Sequence, residues 1–165
     1  MNTTMKMAML GMSACLFATA ARAADQPKTA DVLDKLHKSN LTEIEAGKLA
    51  QDYGHSKATK DYGKMLVSDY TSADQQVVAL AKEEGIDVSD STPVVGSNKL
   101  ADLTAGPAFD RRFARTMIRE NKKDIAAVTA ARDTTTDAKL KEFLTAMLPT
   151  LQKHESLAEG LEHGK

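Results

Sequence analysis

Between Asp137 and Leu161 the apolar residues fall at Leu140, Leu144, Met147, Leu151, Ala158 and Leu161. Steps of three and four place them on one stripe of a helix about seven turns long. Where that rhythm demands a further buried residue, between Leu151 and Ala158, the chain has His154. Lys139, Lys141, Glu142, Lys153, Glu155, Glu159 and Glu162 mostly cover the other faces. An amphipathic helix of this kind cannot bury its stripe alone and requires partner helices.

Three upstream segments supply them. Thr29 is the predicted N-cap of a first helix with Leu33, Leu36, Asn40, Ile44, Gly47 and Ala50 on one side and Glu43 on the same seam. A competing start lies at Asn40, since Asn40-x-x-Glu43 is a capping box, but the stripe begun by Leu33 and Leu36 favours one continuous helix. Tyr53-Gly54-His55 interrupts the pattern, and Ser56 caps a second helix that runs to Glu84 and stops at Gly85. Its inward series reads Tyr62, Leu66, Asp69, Ala73, Val77 and Leu80, with Tyr70 at the edge. From Ile86 to Gly106 the periodicity lapses into a connection longer than a hairpin turn, with room for a short capped helix at Ser97–Leu103. Gly106-Pro107 opens a third helix on Phe109, Phe113, Met117, Ile125 and Val128, with Asn121 at an inward step, and Asp133–Thr136 is the turn into the last. No window alternates with period two, so neither a sheet nor a membrane barrel is expected. The expected fold is an all-α four-helix bundle, most simply up-down-up-down, with a long connection between helices two and three.

The chain's start reads as a Sec signal peptide. Lys6 gives a positive n-region, Met7–Ala20 is an apolar run, and Ala21-Arg22-Ala23 offers small residues at both recognition positions of a leader peptidase site. Cleavage is expected after Ala23, with Ala24 as the near alternative, and the run is too short to anchor the chain across a bilayer. Met12-Ser13-Ala14-Cys15 loosely resembles a lipoprotein box, but the apolar run continues past Cys15 to the better site. Residues 24–165 then form one domain, about 140 residues long, in the periplasm or outside the cell. Cleavage removes the single cysteine, so no disulfide is expected. It also removes Lys6 and Arg22 from the 22 basic residues, leaving 20 against 23 acidic ones and a net charge of −3. That charge excludes an electrostatic footprint for nucleic acid or anionic lipid.

Each helix thus carries a polar residue at a core step: Glu43, Asp69, Asn121 and His154. With the first and third turns at one end, as up-down-up-down requires, these lie roughly 16 Å (Glu43), 21–22 Å (Asp69 and Asn121) and 28 Å (His154) along the bundle. One mid-bundle layer could hold all four.

Several segments together resemble a known family: Leu41–Ala50 around Glu43, Met65-Leu66-Val67-Ser68-Asp69, Phe109-Asp110-Arg111-Arg112-Phe113, and Leu148-Pro149-Thr150-Leu151-Gln152-Lys153-His154. In order and spacing they look like the bacterial domain of unknown function 4142, an envelope family with a ferritin-like bundle. The resemblance covers nearly the whole chain after the leader. It implies inward histidines after the Asp of helix two, late in helix three, and at the end of the Leu-Pro-x-Leu-x-x-His motif. Only His154 matches; Tyr70 and Asn121 stand where the other two would be.

Ferritin-like metal centres draw a Glu from each of two helices and Glu-x-x-His from each of the other two. Here the residue three before His154 is Leu151. The candidate metal set is therefore Glu43, Asp69 and His154, one imidazole and two carboxylates, and no bound cofactor is expected. The first reading of His154 is a buried histidine hydrogen-bonded to Glu43 or Asp69; metal ligand and general acid or base follow. Pro149 removes a helix hydrogen bond nearby and could re-aim it, while His37, His55 and His163 read as incidental. The function expected is that of a non-catalytic periplasmic bundle, stress-related or a partner of another envelope protein. The alternative is a metal-binding or peroxide-handling protein with a reduced site. A hydrolase is not expected, since no cysteine remains after cleavage and the chain has neither a nucleophile-elbow serine nor a Gly-rich phosphate loop.

Overall fold

The computed structural model describes residues 16–88 and 108–164, with side chains from Lys28 onward. They form four helices: α1 Leu16–Tyr53, α2 Lys57–Glu83, α3 Phe109–Thr134 and α4 Ala138–Glu162. Cys15, the Ser97–Leu103 segment and Pro107 lie outside the described residues. Among those described, no helix is long and apolar enough to cross a membrane.

Local chemistry accounts for the helix ends. Ser56 caps α2, its Oγ accepting from Thr59 N at 3.1 Å. At the other end Gly85 takes φ +70°, with Gly85 N donating to Lys82 O and Ile86 N to Ala81 O, the paired bonds of a Schellman stop. Asp137 caps α4 by accepting from Lys139 N and Leu140 N at 2.9 and 3.1 Å. Thr29, expected as an N-cap, is instead inside α1. It is buried at the start of α4, and its hydroxyl is 3.5 Å from Asp137 Oδ2, so it serves another helix rather than its own terminus. Asn40 is likewise mid-helix and buried, so α1 is continuous. Pro149 faces solvent within an unbroken α4.

The direction of the helices departs from up-down-up-down. His55 N and Ser56 N, in the α1–α2 turn, both donate to Asp110 at the start of α3, each at 2.8 Å. Arg115, nearly two turns into α3, pairs with Glu162 at the end of α4. At the opposite end Lys139, opening α4, reaches Glu83, closing α2. So α2 stops at one end of the bundle and α3 begins at the other: the order is up, down, down, up. Twenty-seven residues of α2 measure ~40 Å, a distance no hairpin turn could return over, which is why the second connection is long. This order sets α1 beside α3 and α2 beside α4, and places the first and third turns at opposite ends. Glu43 and His154 then lie roughly 15 and 14 Å from the same end, Asp69 and Asn121 roughly 20 Å, so the mid-bundle layer persists.

The apolar stripes meet as the spacing requires. Leu33, Leu66, Phe109, Phe113, Met117, Leu140 and Leu144 are fully buried, each such side chain contributing ~1.5–3 kcal/mol. Phe109 and Phe113 stack at 5.7 Å, and Tyr62 meets Phe113 edge-on at 6.0 Å. Between α1 and α2 two glycines let the backbones touch. A Cβ on Gly47 would lie 2.7 Å from Gly63 O, and one on Gly63 would lie 2.5 Å from Gly47 O. Because the obstacle is backbone, neither helix can yield without moving whole. Gly63→Ala should therefore destabilise by about 1–3 kcal/mol in denaturant melts, despite the ~1 kcal/mol that alanine gains over glycine in a helix. A variant as stable as the parent would mean the helices are not held this close.

Candidate functional site

The middle of the bundle is polar. On α2 the core selects Tyr70, 3% exposed, and not Asp69, whose side chain is 31% exposed. Adjacent helix residues point about 100° apart, so only one can face the axis. Tyr62, Leu66 and Tyr70 continue in steps of four, and burying a ring is favourable where burying a carboxylate is not. Asp69 stands at the rim and from there meets the fully buried His154, Oδ2 to Nε2 at 3.0 Å. A carboxylate can only accept, so Nε2 carries the proton and Nδ1 faces inward as an unprotonated acceptor. Burial lowers the imidazole's affinity for a second proton, against the pull of Asp69, which leaves His154 neutral at neutral pH.

Tyr62 ties the helices together. Its hydroxyl donates to the backbone oxygen of His154 at 3.1 Å and lies 3.5 Å from Asn121 Nδ2, which itself donates to Met117 O at 2.8 Å. Glu43 sits apart on the α1–α3 side. Burial, then the charges of Asp124 and Glu120, push its carboxyl up to about 8. Burial and Glu120 also raise Asp124 to about 6, against the hydrogen bond it accepts from Ser39.

The candidate metal set is thus divided. Asp69 and His154 meet, Glu43 bonds to neither, and among the described residues no three His, Cys, Asp or Glu side chains gather closely enough to hold a metal ion. Five buried polar atoms in this layer have no hydrogen-bond partner: Asn40 Nδ2, Glu43 Oε2, Tyr70 Oη, Asn121 Oδ1 and His154 Nδ1.

Two clefts reach this layer from opposite faces. One, about 370 Å³ between α2 and α4, is lined by Asp69, Ser72, Gln76, Phe143, Thr150 and His154 among others. The second, about 260 Å³, opens among α1, α3 and α4 and has Leu36, Asn40, Asp124, Val128 and Leu144 in its wall. Tyr70, Met147 and Leu151 line both and form the partition.

Sequence reasoning missed Asp124, although it lies three residues from Asn121 and hence on the same helix face. It also set aside His37, whose Nδ1 is 2.6 Å from Asp74 Oδ1 in a largely buried α1–α2 bridge. Nothing in the spacing distinguishes that histidine from a surface one.

Two predictions follow from the layer. Glu43 keeps its proton to about pH 8 when folded and loses it near 4.5 when unfolded, so stability falls as pH rises through that window. By pH 7 the loss should be on the order of 3 kcal/mol, at ~1.4 kcal/mol per pH unit. Glu43→Gln should match the parent near pH 4.5, exceed it at pH 8 and flatten the curve of denaturant stability; parallel curves would show the carboxyl ionises as freely folded as unfolded. His154→Leu should cost about 1–2 kcal/mol, and its coupling with Asp69→Ala in a double-mutant cycle should be about 1 kcal/mol, reduced because Asp69 is partly solvated. Zero coupling would mean the pair contributes nothing.

Comparison with curated proteins and with solved structures finds no match. A family model does match, over residues 16–161, from the start of α1 to the last turn of α4. The chain belongs to that family, described as Domain of unknown function (DUF4142).

Proposed function

We propose that this chain is an exported protein of the cell envelope, with a ferritin-like bundle, that works by non-catalytic binding of a small molecule. The ferritin-like reading is supported by a single long crossover between α2 and α3, the connection that distinguishes such bundles from simple up-down ones. Export is supported by the leader-like residues 1–23. The binding role rests on one observation: two clefts that share Tyr70, Met147 and Leu151 in their walls enter the bundle's polar layer from opposite sides. Concave sites with apolar walls and a few polar groups are where small molecules bind. The titratable groups there are matched to holding and not to turnover. His154 is neutral with its proton committed to Asp69, and Glu43 is held protonated by burial. No resident metal is part of the proposal.

The test has two arms. Intact mass of the product exported by a bacterial host should give a chain starting at Ala24, and a lipid-modified chain starting at Cys15 would overturn the soluble envelope assignment. A fragment screen by protein-observed NMR should give hits whose shifts centre on Ser72, Gln76 and Thr150, or on Ser39, Ala127 and Ala131. Hits elsewhere, or none, would overturn the binding role. Tight one-to-one uptake of Fe(II) or Mn(II) by untagged protein would transfer support to the metal-handling alternative.

A further inference from the structure

The two clefts differ in chemistry. The α2–α4 cleft is open and mixed, with Lys153, Gln76 and Thr150 at its edges. The α1–α3–α4 cleft is smaller and its wall mostly apolar, with Leu36, Val128, Leu144 and Leu151 around it and Asp31, Lys35 and Asp124 also in the lining. At about 260 Å³ it lies just under the ~300–1,000 Å³ typical of ligand sites, so its occupant is small. Two polar side chains help to form its wall, Asn40 and Tyr70, 1% and 3% exposed. Asn40 Nδ2 and Tyr70 Oη are both without a hydrogen-bond partner. A buried donor left unmade is costly, and both of these belong to side chains of one mostly apolar wall, which a small turn of each side chain would present to a ligand.

We propose that this cleft binds a small neutral amphiphile, with an aliphatic body along the helices and one carbonyl oxygen accepting from Asn40 and Tyr70. The inference rests on the small-molecule binding reading and names its ligand class. A carbonyl oxygen has two lone pairs, one for each donor. An alkane would leave both donors unpaired, and an ammonium group would bring further donors to them. An anion is disfavoured because Asp124 lines the cleft and its one lysine, Lys35, is already paired with Asp31 at 2.7 Å. Burial above all holds the Tyr70 hydroxyl protonated, so it remains a donor. A carboxylate placed against that hydroxyl would lose its water beside the ionised Asp124, while Glu43 keeps its proton and adds no charge.

The experiment titrates methyl hexyl ketone, octanoate and octylamine, in turn, into the isotope-labelled full chain at about pH 7.5. It follows backbone amides and the side-chain NH₂ of Asn40 by NMR. The ketone should bind, shift the Asn40 side-chain resonance, and bind at least about tenfold more tightly than either charged probe. Tyr70→Phe keeps the ring in the partition and removes the hydroxyl; it should weaken the ketone by about tenfold, the equivalent of one hydrogen bond. Ala127→Trp, at an exposed position of α3 on the cleft's lining, should abolish binding while leaving the fold intact. Octanoate binding as tightly as the ketone would overturn the proposal, as would ketone affinity unchanged in Tyr70→Phe. Ketone binding that moves only Ser72 and Gln76 and ignores Ala127→Trp would also overturn it, while the broader binding role would stand. Absence of binding by all three probes would overturn the ligand assignment, with the fragment screen deciding the broader role separately.

Discussion

The direction in which α3 runs determines every contact in the middle of this protein. Because α3 starts beside the α1–α2 turn, held there by Asp110 on His55 N and Ser56 N, it lies against α1 and leaves α4 to cover α2. That arrangement brings Asp69 to His154 and Asp124 to Ser39. Reverse α3, and the same four stripes would still bury, but with other partners. Hydrophobic burial thus makes the bundle, while the two amide bonds to one carboxylate help to specify which bundle it is.

The polar layer follows from a second constraint, that a charge inside a helical core must be paired, hydrated or removed. The chain uses all three solutions within a few turns. Asp69 stays at the rim, where it is partly hydrated and accepts from His154. His154 is kept neutral, and Glu43 keeps its proton. The result is a core with hydrogen-bonding capacity but little charge, a suitable lining for an uncharged guest.

Much of this was readable before any coordinates. The stripes of α1, α3 and α4, the cap at Ser56, the stop at Gly85 and the inward positions of Glu43, Asn121 and His154 were all legible from residue type and helical spacing, and the structure has them there. Two things were not readable. Periodicity fixes a stripe only to within one residue, so Asp69 and Tyr70 were interchangeable on paper until packing against α4 chose the ring. Periodicity also says nothing of direction. The length of the α2–α3 connection was the signal for a parallel pair, and the simplest topology concealed it. Thr29 was misjudged for a related reason: a threonine before an amphipathic stretch resembles a cap, and only the approach of α4 shows it to be interior.

The three-residue turns that close each hairpin have a consequence for how the molecule assembles. Partners within a hairpin are near in the chain, so α1 with α2, and α3 with α4, can zip from their turns at small entropic cost. Contacts between the hairpins are different: His154 and Asp69, in the polar layer, are 85 residues apart, and Thr29 and Asp137, at the end of the bundle, are 108. Closing such loops adds only ~0.6 kcal/mol per doubling of length, but it must be met before any cross-hairpin contact is rewarded. The buried polar groups therefore gain these partners only where the two hairpins meet. A hairpin docked one turn out of register would bring Asp69 to Thr150 or Ala158 and leave His154 without its carboxylate, so the layer acts as a proofreader of assembly.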